Sequence, residues 1–231
     1  MTYSNQINPV RSKSPKTTAP PSARTSSGVK AIIFDLGNVL IDFDHNIAAE
    51  KISKFTHKTP QEIFDLFFDS ELTALFEEGR LKPQEFFLKV KEALNLKLDY
   101  NEFVPIWNEI FFLSEKNRRV YNLAKLLKSH YIIALLSNIN ILHFDYLKKK
   151  FPVFDAFHHI ITSFEIGFRK PHPLIYKKIL EILKVAARDV AYTDDRLELI
   201  EKAQGLGIKS FHFQDPDKLK KDFLIIGINL E

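Results

Sequence analysis

The sequence contains no cysteine, which excludes disulfide bonds, thiol catalysis and cysteine-ligated zinc together. No run approaches the ~18 consecutive apolar residues of a membrane helix, so we expect no membrane partner. Gly-x-Ser-x-Gly and Gly-x-x-x-x-Gly-Lys are absent, which disfavours a serine hydrolase and an ordinary phosphate-binding loop. The eight histidines show no zinc-protease spacing. These absences favour a soluble, cytoplasmic protein whose chemistry uses oxygen and nitrogen side chains.

Acidic residues are missing from residues 1–30, which carry five of the 33 Lys and Arg residues. The rest of the chain therefore holds 28 basic against 29 acidic residues, and the formal charge of +4 belongs to this segment. Because a nucleic-acid-binding domain needs a basic face of its own, we expect no nucleic-acid partner. Residues 1–29 are rich in Ser, Thr and Pro and predict a disordered basic tail. A transit peptide has a similar composition, but an amphipathic helix is hard to find here.

The 21 Phe residues and the 45% hydrophobic content are enough for a sizeable core. Three short apolar runs predict buried strands that each end in polar residues. They are residues 31–34 before Asp35, residues 131–136 before Ser137 and Asn138, and residues 189–193 before Asp194 and Asp195. Because ligands bind beyond the carboxyl ends of strands in an open α/β sheet, these side chains predict one site.

The order of elements predicts an α/β fold with a parallel sheet and a helical insertion after the first strand. Strands at 131–137, 158–163, 189–194 and 209–213 alternate with helices at 115–129, 140–150, 171–184, 196–206 and 216–225. Residues 46–112 are helical in pattern without a predicted strand, with helix starts at Thr59-Pro60 and near Pro83. We expect a core domain of residues 30–45 plus 113–231 and a helical cap domain of residues 46–112. Helices that merely flank the sheet are the alternative, but crossovers normally use one helix.

Asp35 ends a buried strand and is a candidate nucleophile or metal ligand, or a loop-capping acid. Asp194 and Asp195 follow another strand, and their proximity to Asp35 would form an oxygen-lined pocket suited to Mg²⁺. Adjacent side chains point to opposite faces of an extended chain, so only one of the pair is expected to face the site directly. A helix N-cap at position 195 is the alternative role.

Ser137 and Asn138 offer a hydroxyl, an amide and backbone N–H groups to an anion, or they cap the following helix. Lys170 precedes Pro171, which keeps its backbone extended and suits the ammonium to a phosphate oxygen. Arg169 is a rival for that role, and a solvated basic turn is the alternative. His158 and His159 are expected to be structural.

In this order, the residues resemble the haloacid dehalogenase-like (HAD) hydrolase superfamily. Its four signatures are similar to residues 34–40, residues 137–138, residues 169–171 and residues 193–195, and Glu78-Gly79-Arg80 resembles a recurring cap pattern. The form Asp-Leu-Gly-Asn-Val is similar to a branch with sugar-phosphate phosphatases of the α-glucose-1-phosphate type. The resemblance implies a Rossmannoid core and a Mg²⁺-dependent phosphatase that acts on a small phosphorylated metabolite.

The resemblance also implies a role for each site residue. Asp35 would be the nucleophile that forms an aspartyl-phosphate, and Lys170 would assist it. The implied Mg²⁺ ligands are Asp35, the Gly37 carbonyl, Asp195 and, in a supporting role, Asp194. The implied phosphate-binding groups are Ser137, the Asn138 amide and Lys170.

Two positions depart from the family pattern. Gly37 stands where most members carry a second acid that acts as general acid and base. Because the loss of this acid matters less when the leaving group departs easily, anomeric or acyl phosphates become more plausible substrates. Asp42 or Asp44 is a possible substitute acid. Arg196 stands where the branch often has Ser or Asn and would crowd or neutralise a metal site. A HAD-like binding domain without turnover is therefore an alternative, and a 2-haloacid dehalogenase is a weaker one, because the paired acids suit a metal.

Overall fold

The structure is a computed structural model that describes residues 28–68 and 70–230. Its strands are β1 (Ala31–Phe34), β2 (Asp42–Phe43), β3 (Phe111–Phe112), β4 (Ile132–Ser137), β5 (His159–Thr162), β6 (Val190–Asp194) and β7 (Lys209–His212). Its α-helices are α1 (His45–Ile52), α2 (Pro60–Phe67), α3 (Glu71–Glu77), α4 (Pro83–Leu94), α5 (Tyr100–Asn108), α6 (Glu115–Leu127), α7 (Ile141–Lys150), α8 (Ser163–Ile166), α9 (Pro173–Leu183), α10 (Leu197–Gln204) and α11 (Pro216–Ile225).

Five parallel strands form the main sheet in the order β5-β4-β1-β6-β7. The side chains of β1 alternate between two cores, because successive residues of a strand point to opposite faces. Ile32 and Phe34 pack with α6, α7 and α11, whereas Ala31 and Ile33 pack with α9 and α10. Helices therefore cover both faces, which confirms the predicted α/β fold. The central position of β1 places the residue after it, Asp35, in the middle of the carboxyl edge of the sheet.

Helices α1–α5, here called the helical insertion, have a hydrophobic core of their own. Trp107 lies in this core against Phe67 and Phe86, with ring centroids 4.5 and 5.1 Å away. Helix α2 starts as predicted, because the hydroxyl of Thr59 accepts the Glu62 N–H and the Glu62 carboxylate accepts the Thr59 N–H. This reciprocal cap satisfies two backbone donors that the first turn of a helix leaves unpaired.

The prediction that residues 46–112 contain no strand is wrong. Strand β3 pairs antiparallel with β2, so the chain enters and leaves the helical insertion side by side. A two-residue strand has no hydrophobic period, and its partner lies about 70 residues earlier in the chain, so the pattern gave no signal. From residue 113 onward, the predicted helices and strands agree with the structure to within two residues at each end.

The predicted basic tail, residues 1–29, lies outside the described residues except for Gly28 and Val29. In the part of the chain that the structure describes, every helix is too short or too polar to cross a lipid bilayer.

Candidate active site

A cavity of about 300 Å³ opens at the carboxyl edge of the sheet, between the sheet and the helical insertion. Its sheet side carries the polar residues that follow β1, β4 and β6, and its other side carries residues from β2 and α1–α3. The lining residues are Asp35, Gly37, Asn38, Phe43, His45, Phe67, Phe68, Thr73, Glu77, Asn138, Arg169, Lys170, Asp194, Asp195, Arg196 and Leu199. The strand ends that the sequence singled out therefore meet in one place.

The Lys170 ammonium joins two of the predicted acids. Its Nζ donates to Asp35 Oδ1 at 2.5 Å and to Asp194 Oδ2 at 2.7 Å, and it also donates to the Leu136 carbonyl at 3.1 Å. Lys170 is only 4% exposed, which makes the alternative of a solvated basic turn wrong. Burial alone would lower its pKa, but the Asp194 and Asp35 carboxylates outweigh burial and raise the pKa, so the ammonium stays charged.

The two carboxylates that share Lys170 differ in their other partners. Burial raises the pKa of Asp35 to about 7, against the opposing attraction of Lys170. Burial acts on Asp194 in the same direction, but the pKa of Asp194 is lowered, because Lys170, the Tyr192 hydroxyl and the Arg196 backbone N–H all donate to it. Asp194 is thus a firmly ionised anchor for Lys170, whereas Asp35 is a carboxylate whose charge the protein alone satisfies poorly.

Asp195 completes the acidic cluster from the loop after β6. Its Oδ2 accepts a hydrogen bond from Asn38 Nδ2 at 2.9 Å, and burial raises its pKa despite that bond. Oxygen atoms of Asp35, Asp194 and Asp195 lie within 4.8 Å of one another. Both acids line the cavity, so the expectation that only one of them would face it directly is wrong; β6 ends at Asp194, and the chain bends at Asp195.

The donor set fits a divalent cation. With all three carboxylates ionised and one ammonium bound, the cluster carries two uncompensated negative charges, and a doubly charged ion would balance them. Carboxylate oxygens are the ligands that Mg²⁺ prefers, together with water and phosphate oxygens. Lys170 occupies only Oδ1 of Asp35, which leaves the second oxygen of that carboxylate for another partner.

Asn138 holds the backbone of Lys170. Its Oδ1 accepts the Lys170 N–H at 2.7 Å, and its Nδ2 donates to the Lys170 carbonyl at 2.9 Å. Ser137 lies at the end of β4, buried and outside the described lining of the cavity, with its hydroxyl 3.4 Å from the Asn138 carbonyl. The alternative that these two residues cap the next helix is wrong, because Asn140 caps α7 through the His143 N–H.

Two arginines line the cavity, and each forms an ion pair with a glutamate. Arg169 forms an ion pair with Glu77 of α3 at 2.7 Å, which links the sheet side of the cavity to the helical insertion. The Arg196 guanidinium lines the same cavity and pairs with Glu198 at 2.6 Å. The N-cap of α10 is Arg196 rather than Asp195, which also corrects the alternative role given to that acid.

The position of Gly37 has no room for a side chain unless a ring moves. A Cβ built there would lie 2.8 Å from Cε1 of Phe43. The two substitute acids are engaged elsewhere: Asp42 pairs with Lys116 at 2.7 Å, and Asp44 caps α1. Neither lines the cavity.

The sequence reasoning missed several residues that line this cavity or contact its lining. Tyr192 lies two positions before Asp194 on the same strand, so alternation along β6 was a usable signal for their contact. Asn38 lies within the first signature and binds Asp195. The sequence gave no indication that Phe43, His45 or Phe68 would line the cavity. Phe recurs throughout the helical block, so no single Phe stood out.

Comparison with known proteins gives a family match and several relatives. The model of the family described as haloacid dehalogenase-like hydrolase matches residues 29–207. D-ribitol-5-phosphate phosphatase of Bacteroides thetaiotaomicron is 22% identical, over 86% of this chain and 98% of its own length. A sesquiterpene phosphatase of Aspergillus oryzae is 25% identical, over 80% of this chain and 90% of its own.

One solved structure is a HAD family enzyme of Bacteroides thetaiotaomicron in complex with magnesium and inorganic phosphate. It is similar to this chain with a TM-score of 0.71 and 26% identity, and the match covers 80% of this chain and 94% of that one.

Proposed function

The chain belongs to the haloacid dehalogenase-like hydrolase family, and we propose that it is a Mg²⁺-dependent phosphatase that hydrolyses a small phosphorylated metabolite through an aspartyl-phosphate on Asp35. The family and the hydrolase class confirm the sequence prediction. The relatives named above are phosphatases, one of them for a sugar-alcohol phosphate, which agrees with the predicted branch. The observation that carries the proposal is the contact of Lys170 with Asp35 inside a cavity that also holds Asp194 and Asp195.

Asp35 has the properties of a nucleophile in this cavity. In the first transfer, one of its carboxylate oxygens attacks phosphorus, and the bond from phosphorus to the leaving-group oxygen breaks. The leaving oxygen keeps the bonding pair and takes a proton from water. In the second transfer, water attacks phosphorus, the bond to Asp35 breaks, and inorganic phosphate and the free carboxylate are released, while the proton of the water passes to solvent. Splitting hydrolysis in two is the usual benefit of covalent catalysis.

Lys170 acts on the charge of the phosphoryl group. Its ammonium is anchored by Asp194, and its backbone is fixed by Asn138, so its position is set before a substrate binds. A preset cation needs no reorganisation as charge shifts between the attacking and leaving oxygens. The predicted contacts of Ser137 and Asn138 with phosphate oxygens belong to the same proposal.

Asp35, Asp195 and the Gly37 carbonyl would hold Mg²⁺, with Asp194 in support. Bound there, the cation supplies charge neutralisation between an anionic carboxylate and an anionic substrate. The helical insertion would act as a cap domain that excludes water and contacts the leaving group. The ion pair of Arg169 with Glu77 links that cap to the sheet side of the cavity.

The experiment is a phosphate-release assay with acetyl phosphate, p-nitrophenyl phosphate and a panel of sugar phosphates. We expect turnover with Mg²⁺, loss of turnover with EDTA, and loss in Asp35→Asn. Asp145→Asn, which changes an exposed acid of α7, is the matched control and should keep full activity. Turnover in Asp35→Asn would contradict the assigned nucleophile, and chloride release from chloroacetate in place of phosphate release would favour the dehalogenase. Binding of phosphate without any turnover would favour the binding domain.

A further inference from the structure

The wall of the cavity that faces the acidic cluster consists largely of rings. Phe43 comes from β2, His45 from α1, and Phe67 and Phe68 from the end of α2, and all four line the cavity. We call these four residues the ring wall. The His45 ring centroid lies 5.3 Å from that of Phe43 and 6.0 Å from that of Phe68, both in edge-on contact. The rings are therefore continuous from the loop after β1 to the outer end of α2.

The ring wall begins directly above the loop that carries the nucleophile. The Cε1 atom of Phe43 occupies the space that a side chain at Gly37 would need, 2.8 Å from the ideal Cβ position. At the other end, Phe68 lines the cavity and is 50% exposed. Phe68 also stacks on Phe64, with ring centroids 5.4 Å apart, so its ring is supported from behind.

The ring wall carries no charge near neutral pH. Burial lowers the pKa of His45 to about 4, so the imidazole is neutral. Its Nδ1 atom is buried and makes no hydrogen bond within the described part of the chain. The ring wall therefore presents mainly apolar surface, with the neutral imidazole of His45 as its one polar ring.

The other polar groups of the helical insertion in this cavity already have partners. The Thr73 hydroxyl donates to the Leu66 carbonyl and accepts from Ser70, and the Glu77 carboxylate pairs with Arg169. A leaving group with a row of hydroxyls would lose its hydration here without equivalent new hydrogen bonds. Unpaired buried polar groups are strongly rejected by binding sites, whereas an apolar body gains from the same surface.

We infer that the leaving group of the substrate is an apolar, flat or unsaturated body placed against the ring wall, and that Phe68 is a specificity-determining residue for it. This inference rests on the proposed phosphatase function and names its substrate class. A cavity of about 300 Å³ suits a phosphoryl group together with a body of ring size. A longer apolar chain would extend past Phe68 toward solvent.

The test compares three phosphates with the wild-type protein and Mg²⁺. Benzyl phosphate and ribitol 5-phosphate both release primary alcohols, so they differ mainly in whether the body is a ring or a polyol. Acetyl phosphate has a small body and reports on the chemistry alone. We expect kcat/KM for benzyl phosphate to exceed that for ribitol 5-phosphate about tenfold or more, in the range that apolar pocket contacts discriminate.

Three variants test the role of the wall. Phe68→Ser should lower kcat/KM for benzyl phosphate about tenfold, which corresponds to one lost contact of about 1.4 kcal/mol, and should leave acetyl phosphate unchanged. Phe68→Leu keeps an apolar side chain and should retain most of the activity on benzyl phosphate. Phe55→Ser, at an exposed Phe between α1 and α2 that lies outside the cavity lining, is the matched control and should change none of the rates.

Each outcome bears on the inference. Equal or better turnover of ribitol 5-phosphate overturns it while acetyl phosphate hydrolysis keeps the proposed function. A loss in Phe68→Ser that is the same for acetyl and benzyl phosphate, or no loss for benzyl phosphate, also overturns it. If wild-type protein hydrolyses none of the three, the proposed function fails and this inference fails with it.

Discussion

Replacing Lys170 by Met tests whether one buried ammonium holds the carboxylate cluster together. Met has a similar length and no charge, so the change removes the bonds to Asp35 and Asp194 with little loss of volume. Both carboxylates are buried, at 7% and 0% exposure, and would repel each other and Asp195 in the metal-free protein. Removing one partner of a buried ion pair typically costs about 3–5 kcal/mol, because the remaining charge is left uncompensated.

Neutralising Asp35 and neutralising Asp194 should restore different amounts of stability to Lys170→Met. Burial already raises the pKa of Asp35 to about 7, so the added change Asp35→Asn should remove an unfavourable charge and restore at least half of the lost stability. Asp194→Asn should restore less, because the Tyr192 hydroxyl and the Arg196 N–H still donate to Asp194 in Lys170→Met and favour its ionised form. Mg²⁺ should also stabilise Lys170→Met if it binds the folded state only.

The assay is urea unfolding at pH 7.5 in EDTA and then in Mg²⁺. Lys178→Met removes an exposed lysine from its 3.2 Å pair with Glu181, and as the matched control it should change the free energy of unfolding by less than about 0.5 kcal/mol. The reasoning is refuted if Lys170→Met loses less than about 1 kcal/mol of unfolding free energy, or if adding Asp35→Asn restores none of the loss. Either result means that the carboxylates do not destabilise the folded protein when the ammonium is absent.

Three further predictions concern other parts of the fold. Burial lowers the pKa of His143 to about 3, so the folded state binds fewer protons than the unfolded state below pH 6.5. The free energy of unfolding should therefore fall as the pH drops from 6.5 toward 3, and it should fall less steeply in His143→Phe. Thermal unfolding across this pH range measures both. Gly79→Ala places a Cβ 2.3 Å from a carbonyl oxygen of α8 and should destabilise the protein by more than Gly167→Ala, where φ is +82° but nothing lies within 4 Å; urea midpoints compare the two. Asn138→Ala removes both bonds to the Lys170 backbone and should lower kcat more than it raises KM, which steady-state kinetics would separate.

The sequence was informative wherever a local pattern determined the structure. A buried strand that ends in a polar residue is such a pattern, and Asp35, Ser137 and Asp194 were placed at one sheet edge from it. Helix starts at Thr59-Pro60 and Pro83 followed from capping chemistry in the same way. The family motifs then assigned roles to these side chains.

Contacts between distant residues were not predictable in this way. Lys170 lies 135 residues from Asp35, and nothing local indicates that its ammonium binds two carboxylates instead of remaining free for phosphate. The pairing of β2 with β3 likewise joins residues about 70 positions apart in the chain. In the helical insertion the difficulty was different: Phe, Leu and Ile at helical spacing indicated helices but not which side chains face the cavity.

The short ribbon of β2 and β3 has a consequence for how such enzymes diversify. Since the chain leaves the sheet and returns to it at neighbouring points, the intervening segment can be lengthened, shortened or exchanged without stretching the strands that carry the carboxylates. The proposed reacting groups and the proposed ring wall thus belong to modules joined by two adjacent crossings. A graft of another insertion onto Asp42 and Phe112 would be expected to inherit the chemistry and bring its own selectivity.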